Sequence, residues 1–479
     1  MPVMVTAAER QLRRAYRNGS PLDLTGAARK VIRAEFLSAL LLDGPGAAGG
    51  RTARVDLAGA HITGRLDLTG ARLAAPLRLR HCVFAETVRF DQAELVSLDL
   101  DGCVLPGIEA AAVRVSTGLS ACAARIAGDV RLPQAQVSGT VELDRGTVGG
   151  VLHLHRAVIG GGVHLRQGVR VDGGIGLWGA RIGGDLVLSD ARIGSTGEQA
   201  AVTAPGLQVG GALLAHRTHT DGVINLIGAQ LGGGASFHHN LLHCPEGYAL
   251  LLIEARARLL TLRPAAGSAG TISLRDARFE RVIDDPVTWP GDCRIELDGL
   301  TYDRLTRRSE DVAEWTAGQR LTWMARYSTG FAPGPYDQLA AALRRDGREQ
   351  EARQVLLVRE RLRHRAMGRL GAAWGAVQNV GIGFGYRPVR ALLWLVAIIA
   401  AGTGWFAVMG PLRAVKPGEA PTWDPFVYTL DVLVPLVDLG HDKAWDPVGA
   451  DKLVTLTIMA IGWVLATTVI AGAGRALRR

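Results

Sequence analysis

The sequence predicts a mainly β protein, a pentapeptide-like β-solenoid carrying a helical cap at its N-terminal end and helices at its C-terminal end. Three observations carry this. From Val55 to Tyr302 a unit of the form apolar-x-apolar-x-x-small-x-apolar recurs about every eleven residues, and a fixed period held that long outranks any local propensity. Glycine is abundant (61 of 479 residues) and aromatic residues make up only 5%, which suits a stack of short strands better than a compact globule. Finally, one unit supplies too little apolar surface to fold alone, so its inward side chains are buried only when units stack.

The repeat can be read off directly. Val55-Asp-Leu57 leads to Ala60 and Ile62, Leu66-Asp-Leu68 to Ala71 and Leu73, and Leu77-Arg-Leu79 to Cys82 and Phe84. The register continues at Val88, slips by one residue near Leu98, and resumes at Val130, Val141, Leu152 and Val163. It returns at Ile175 and Leu186, then at Leu213, Ile224 and Ala235, and closes with units starting at Ile272 and Ile295. Apolar-x-apolar is a minimal strand with alternate side chains facing inward. The small residue permits a tight turn, and flanking glycines are expected to supply the unusual backbone angles. Two units make a four-sided coil, and roughly eleven coils at about 4.8 Å each give a rod on the order of 50 Å.

Four segments follow: an N-terminal cap (1–50), the solenoid (51–305), an arginine-rich helical linker (306–388) and a C-terminal hairpin (389–479). Thr6 to Asn18 reads as a polar helix, and Ala27 to Leu42 as an amphipathic helix covering the first coil, since an open solenoid end exposes core and unpaired strand edge. In the linker, Ser309–Tyr327 and Tyr336–Arg365 read as helices. The second contains one tetratricopeptide-like hairpin, turning at Gly347 and packing Leu339, Leu343, Ala352 and Leu356.

Val389–Gly410 and Leu453–Gly474 are apolar stretches of bilayer-spanning length. Arginines crowd the approach to the first, among them Arg359, Arg361, Arg363, Arg365, Arg369, Arg387 and Arg390, and Arg475, Arg478 and Arg479 follow the second. The intervening loop 411–452 holds four basic and seven acidic residues. The positive-inside bias therefore predicts a two-span protein of the cell membrane with both ends and the solenoid in the cytoplasm. No apolar leader stands in the first twenty residues. The loop segment Phe426–Gly440 is apolar but too short to span, and is expected at the interface or re-entrant. In an oligomer its Asp431 and Asp438 are the candidate acids of a pore.

Cys82, Cys103, Cys122, Cys244 and Cys293 are odd in number and lack metal spacing; they read as buried small residues, the first three as one stack. His153 and His164 take outward strand positions, and His216, His219, His238, His239 and His243 gather with Cys244 near the end of the array. They read as surface residues, metal ligation requiring three or four to converge. Asp56, Asp67, Asp99 and Glu142, interspersed with Arg78, Arg89 and Arg131, form a solvated face of mixed sign, neither an acid–base pair nor an acidic mimic of nucleic acid.

The run Ile32-Arg-Ala-Glu-Phe-Leu-Ser-Ala-Leu-Leu, with Gly59-Ala-His-Ile-Thr-Gly-Arg-Leu-Asp-Leu, Pro76-Leu-Arg-Leu-Arg-His-Cys82, Gly179-Ala-Arg-Ile-Gly-Gly-Asp-Leu, Pro335-Tyr-Asp-Gln-Leu-Ala, Tyr428-Thr-Leu-Asp-Val-Leu-Val-Pro and Gly462-Trp-Val-Leu-Ala-Thr, resembles a family common in actinobacteria. Its members join pentapeptide-like β-helix repeats to a C-terminal membrane region, and many are labelled membrane-associated oxidoreductases. The resemblance implies the same layout and transfers no catalytic residue. The residues themselves do not support that chemistry. Glycines at 160–162, 173–176 and 232–234 follow the solenoid period, and Gly381-Ile-Gly-Phe-Gly385 lacks the strand, helix and distal acid of a dinucleotide site. The expectation is a non-enzymatic scaffold with no cofactor, docking a cytoplasmic protein partner and held in the lipid bilayer, with no nucleic acid. The alternatives are a homo-oligomeric pore gated by the solenoid and, third, an oxidoreductase.

Overall fold

The computed structural model describes residues 5–44, 52–195, 200–286, 288–306, 315–366, 388–416, 418–434 and 439–476, without the side chains of 388–393 and 465–476. The chain divides into two compact units, Met1–Ala342 and Leu343–Arg479.

The first unit is a β-solenoid of about eleven turns. Equivalent apolar residues of successive coils pair in parallel register: Leu77 with Leu98, Leu98 with Leu119, Leu119 with Val141, and Val141 with Val163. A second column joins Val88, Ile108, Val130, Leu152 and Ile175 in the same way. The small-x-apolar half of each unit builds the other two columns, through pairs such as Val104–Arg125 and Gln136–Val158. Two units thus make one four-sided coil, as the period predicts. The inward residues of all four sides, including Leu77, Phe90, Cys103 and Phe237, form one continuous buried core.

The turn between the halves explains the small residue. The N–H of Ala135 donates to the carbonyl of Leu132 at 3.3 Å, and that of Ala157 to Leu154 at 3.1 Å. The residue just before the small one is left-handed, as in Gln134 (φ +57°) and Arg156 (φ +54°). Thirteen non-glycine residues, from His81 to Asp276, hold this angle at the same position of the unit. Glycine is therefore not the general source of the unusual angles. The glycines at 160, 183, 210 and 232 have a different cause: a Cβ on Gly183 would lie 2.3 Å from the Gly160 carbonyl oxygen, and one on Gly210 2.3 Å from that of Gly183.

The slip near Leu98 is a shortened coil, since Val88 pairs with Ile108 and Leu98 with Leu119. Sequence reading passed over the unit at Val202, which pairs with Ile175 and Ile224, because an insertion after Ile193 displaces it. At the N-terminal end, α1 (Ala7–Asn18) begins at the capping-box residue Thr6. The expected helix 27–42 is shorter than its pattern: Leu22–Asp23 and Val31–Arg33 are strands paired with the first coil, and α2 covers only Ala34–Asp43. Beyond Gly234 the strands lengthen, to Arg256–Pro264 and Arg278–Asp284. The last coil is met by α3 (Ala317–Tyr327), whose following residue Ser328 bridges to Ile295. Trp289, Trp323 and Tyr327 pack there, with the first two rings 5.2 Å apart, and Arg320 forms a buried ion pair with Asp284. Helix α4 (Pro333–Arg345) follows.

The second unit is helical. After the turn at Gly347 (φ +76°) comes α5 (Glu349–Ala366), and Leu343, Ala352 and Leu356 are buried. Helices α6 (Pro388–Met409), α7 (Pro425–Leu433), α8 (His441–Ala444) and α9 (Ala450–Ala476) follow, with a small ribbon of Arg413–Ala414 against Trp445–Asp446. Helices α6 and α9 occupy the stretches expected to be transmembrane, Val389–Gly410 and Leu453–Gly474. However, among the described residues no helix is long and apolar enough to cross a membrane.

Candidate functional site

The outward positions of the solenoid were the candidate surface, and the strands place them on two separate columns rather than on one face. One carries Asp56, Arg78, Asp99, Ser120, Glu142 and His164. The other carries Asp67, Arg89, Glu109, Arg131 and His153. Stacking puts opposite signs in adjacent coils: Arg78 and Arg80 reach Asp56 at 3.5 and 2.9 Å, Arg89 reaches Glu109 at 2.9 Å, and His164 lies 3.5 Å from Glu142. Asp56 is buried in its pair. Burial raises the Asp99 carboxyl, whereas hydrogen bonds from Thr69 hold Asp67 low. Along both columns neighbouring coils thus meet through pairs of opposite charge.

A set of aspartates that sequence reading missed ties coil to coil. Asp91, Asp101, Asp129, Asp144 and Asp185 accept the backbone N–H of Ala111, Cys122, Val151, Arg166 and Ala212, at 2.7–2.9 Å. Their signal was available, for Asp91, Asp101 and Asp144 all stand third after the first apolar residue of a unit.

Histidines come together in pairs. His153 Nδ1 is 3.2 Å from His155 Nε2, and burial lowers both imidazoles. His216 bonds the Ser236 hydroxyl at 2.8 Å and lies edge-on to His238, whose ring packs on His239. His219 pairs with Asp221 at 3.1 Å, and His243 is exposed. Among the described residues no three His, Cys, Asp or Glu side chains gather as metal ligands would. Cys82 and Cys103 occupy equivalent buried positions; the bond to Cys82 and burial push the Cys103 thiol up, and burial pushes Cys293 up to about 12. Cys122 leaves the expected stack, standing instead over Asp101. Gly160–Gly162, Gly173, Gly174, Gly232 and Gly233 lie between the short strands of the coils, Gly176 and Gly234 lie within strands, and Gly381–Gly385 lies outside the described residues.

In the second unit Asp431 is buried on α7, and its carboxylate accepts three backbone N–H groups: Leu439 at 2.7 Å, His441 at 2.7 Å and Asp442 at 2.9 Å. The side chain folds the connection from α7 to α8. Asp438, Arg369 and Arg387 lie outside the described residues, and Arg390 falls in α6 with its side chain undescribed. On α5, Arg361, Arg363 and Arg365 are exposed, while Arg359 is partly covered and bonded to Glu360. Leu453 is exposed, Gly410 follows the end of α6, and Val389 and Gly474 lie within α6 and α9. Against this geometry, comparison with known proteins finds no family model, no curated protein and no solved structure that matches the chain.

Proposed function

We propose that the chain is a membrane-anchored, non-enzymatic scaffold: its β-solenoid presents a rigid surface to a cytoplasmic protein partner, and α6 and α9 hold it in the bilayer as two antiparallel spans. One observation carries the anchoring. Among the described residues, thirteen of the twenty-one exposed large hydrophobics lie between Trp394 and Val464, including Val408, Met409, Leu453, Leu456 and Trp463. So dense an apolar surface on helices calls for lipid or a partner to cover it. Two hydroxyls of α9 are satisfied within the helix: Thr457 and Thr455 bond the carbonyls of Leu453 and Asp451 at 2.7 and 2.8 Å. Close approach at small residues also suits packing in lipid, for a Cβ on Gly402 would meet Thr429 and Ile458, and one on Gly462 the Leu433 carbonyl. The arginines before α6 and after α9 support cytoplasmic ends, and the family resemblance supports the same layout.

The scaffold reading rests on the solenoid's paired outer lattice, which offers a rigid surface. The pore alternative loses support at Asp431, because its oxygens are engaged by three backbone donors of its own chain. The test is deletion of Val389–Arg479 followed by membrane fractionation. The scaffold reading expects the full chain to resist alkaline extraction and the deleted chain to be soluble with unchanged β-sheet content. A deleted chain that stays in the membrane pellet overturns the anchor.

A further inference from the structure

The arginines at the far end of the solenoid are arranged differently from those at its start. In the column through Arg72, Glu94 and Arg114 the early charges alternate and pair: Arg72 and Arg114 each reach Glu94, at 3.1 Å. In the last coils arginine stacks on arginine. Arg256 is in register with Arg278, and Arg281 with Arg304. Adjacent coils lie about 4.8 Å apart, and like charges directly opposite one another destabilise a sheet. All four side chains are exposed, as is Arg258, and among the described residues none of the five has an ion-pair partner.

These side chains border a groove of about 360 Å³, lined by Arg258, Arg281 and Arg304 together with Glu280 and Asp303. Gly233 lies in its wall, where a Cβ would meet Gly211 at 3.0 Å, so the backbone there stays bare. In the groove three guanidinium groups face two carboxylates. Guanidinium forks match phosphate oxygens in pairs and remain charged at every physiological pH. Three coils span only about 10 Å, which suits one phosphate-bearing group and not the track of a nucleic-acid strand.

We propose that this groove binds a phosphate-bearing anion, held by Arg281 and Arg304 with Arg258 across from them. The shared chemistry is a phosphate group, whether of a soluble phosphate compound or of a lipid headgroup. Isothermal titration of the full chain in neutral maltoside micelles tests it, with tripolyphosphate and dihexanoyl phosphatidic acid as the two probes. The expected result is saturable binding of at least one probe, weakened about ten-fold or more in the double variant R281Q/R304Q. The double variant R72Q/R114Q removes the same charge from the early coils, away from the groove, and is expected to bind as the parent does. Tighter binding of phosphatidic acid assigns the groove to a headgroup, and tighter binding of tripolyphosphate to a soluble ligand. Absence of binding by either probe overturns the proposal, as does an equal loss in both double variants, which would reduce the effect to net charge. Unchanged melting temperatures of the variants exclude misfolding as the cause.

Discussion

Glu9 shows how one side chain closes the solenoid's N-terminal end. Fully buried, it accepts the Thr6 backbone N–H at 2.7 Å as the return half of a capping box, and it forms a two-pronged pair with Arg33 at 2.8 Å. Burial alone would raise its carboxyl, but the bonds from Arg33 and Thr6 prevail and lower it to about 2 from 4.5. The unfolded chain then binds more protons than the folded one below pH 4.5. The stabilisation is therefore complete above that value and is lost as pH falls toward 2, a loss on the order of 3 kcal/mol. Glu9→Gln is expected to lower stability at pH 7 and to flatten the acid limb of a denaturation-versus-pH curve. An unchanged acid limb would place the acid sensitivity elsewhere. A second residue-scale prediction separates the two uses of glycine. Gly183→Ala drives a methyl group against the Gly160 carbonyl, costing roughly 2–4 kcal/mol. Ala112→Gly, at φ +52°, trades relief of left-handed strain against backbone entropy and stays within about 1 kcal/mol of the parent. Urea unfolding of each variant reads both values.

At the scale of elements, α7 is held by polar and aromatic contacts together. Asp424 caps it, and Phe406, Trp423 and Tyr428 pack around it, with the Phe406 and Tyr428 rings 4.9 Å apart. Trp405 on α6 donates to Asp451 on α9 at 3.0 Å. Asp431 then secures the chain leaving the helix through three N–H bonds. Asp431→Asn gives up the charge-assisted bonds and forces an amide toward backbone donors, at a cost of roughly 2 kcal/mol. Faster hydrogen exchange at 439–442 with an intact solenoid is the expected outcome. Altered conductance in reconstituted bilayers, with exchange unchanged, would instead favour the pore.

For the whole molecule, the two units predict separable unfolding. Each coil contacts mainly its neighbours, so the solenoid's stability is a sum of coil and interface terms. The second unit has its own core, around Phe406, Tyr428, Val432 and Ile458. Deletion of 343–479 is expected to remove one calorimetric transition and leave the solenoid's transition within a few degrees of its original position. A single transition lost entirely on deletion would show that the solenoid depends on the second unit.

The sequence by itself determined the solenoid, its two-unit coil and the positions of α1, α5, α6 and α9, because a period repeated over 200 residues and long apolar runs are local signals that survive without knowledge of neighbours. It also placed Thr6 at a helix start and Gly347 at a turn. What lay beyond it depended on which coil rests on which. Only stacking shows that Gly183 is fixed by the Gly160 carbonyl, that Asp91 and Asp101 bind the next coil, and that the charged residues form two paired columns. The unit at Val202 was hidden because an insertion breaks the count while parallel pairing restores it. Likewise Asp431 reads as an acid in an apolar stretch, and its three backbone donors come from residues eight to eleven positions away. The tertiary structure decided these points because hydrogen bonding and charge pairing act between chain segments that the linear pattern leaves apart.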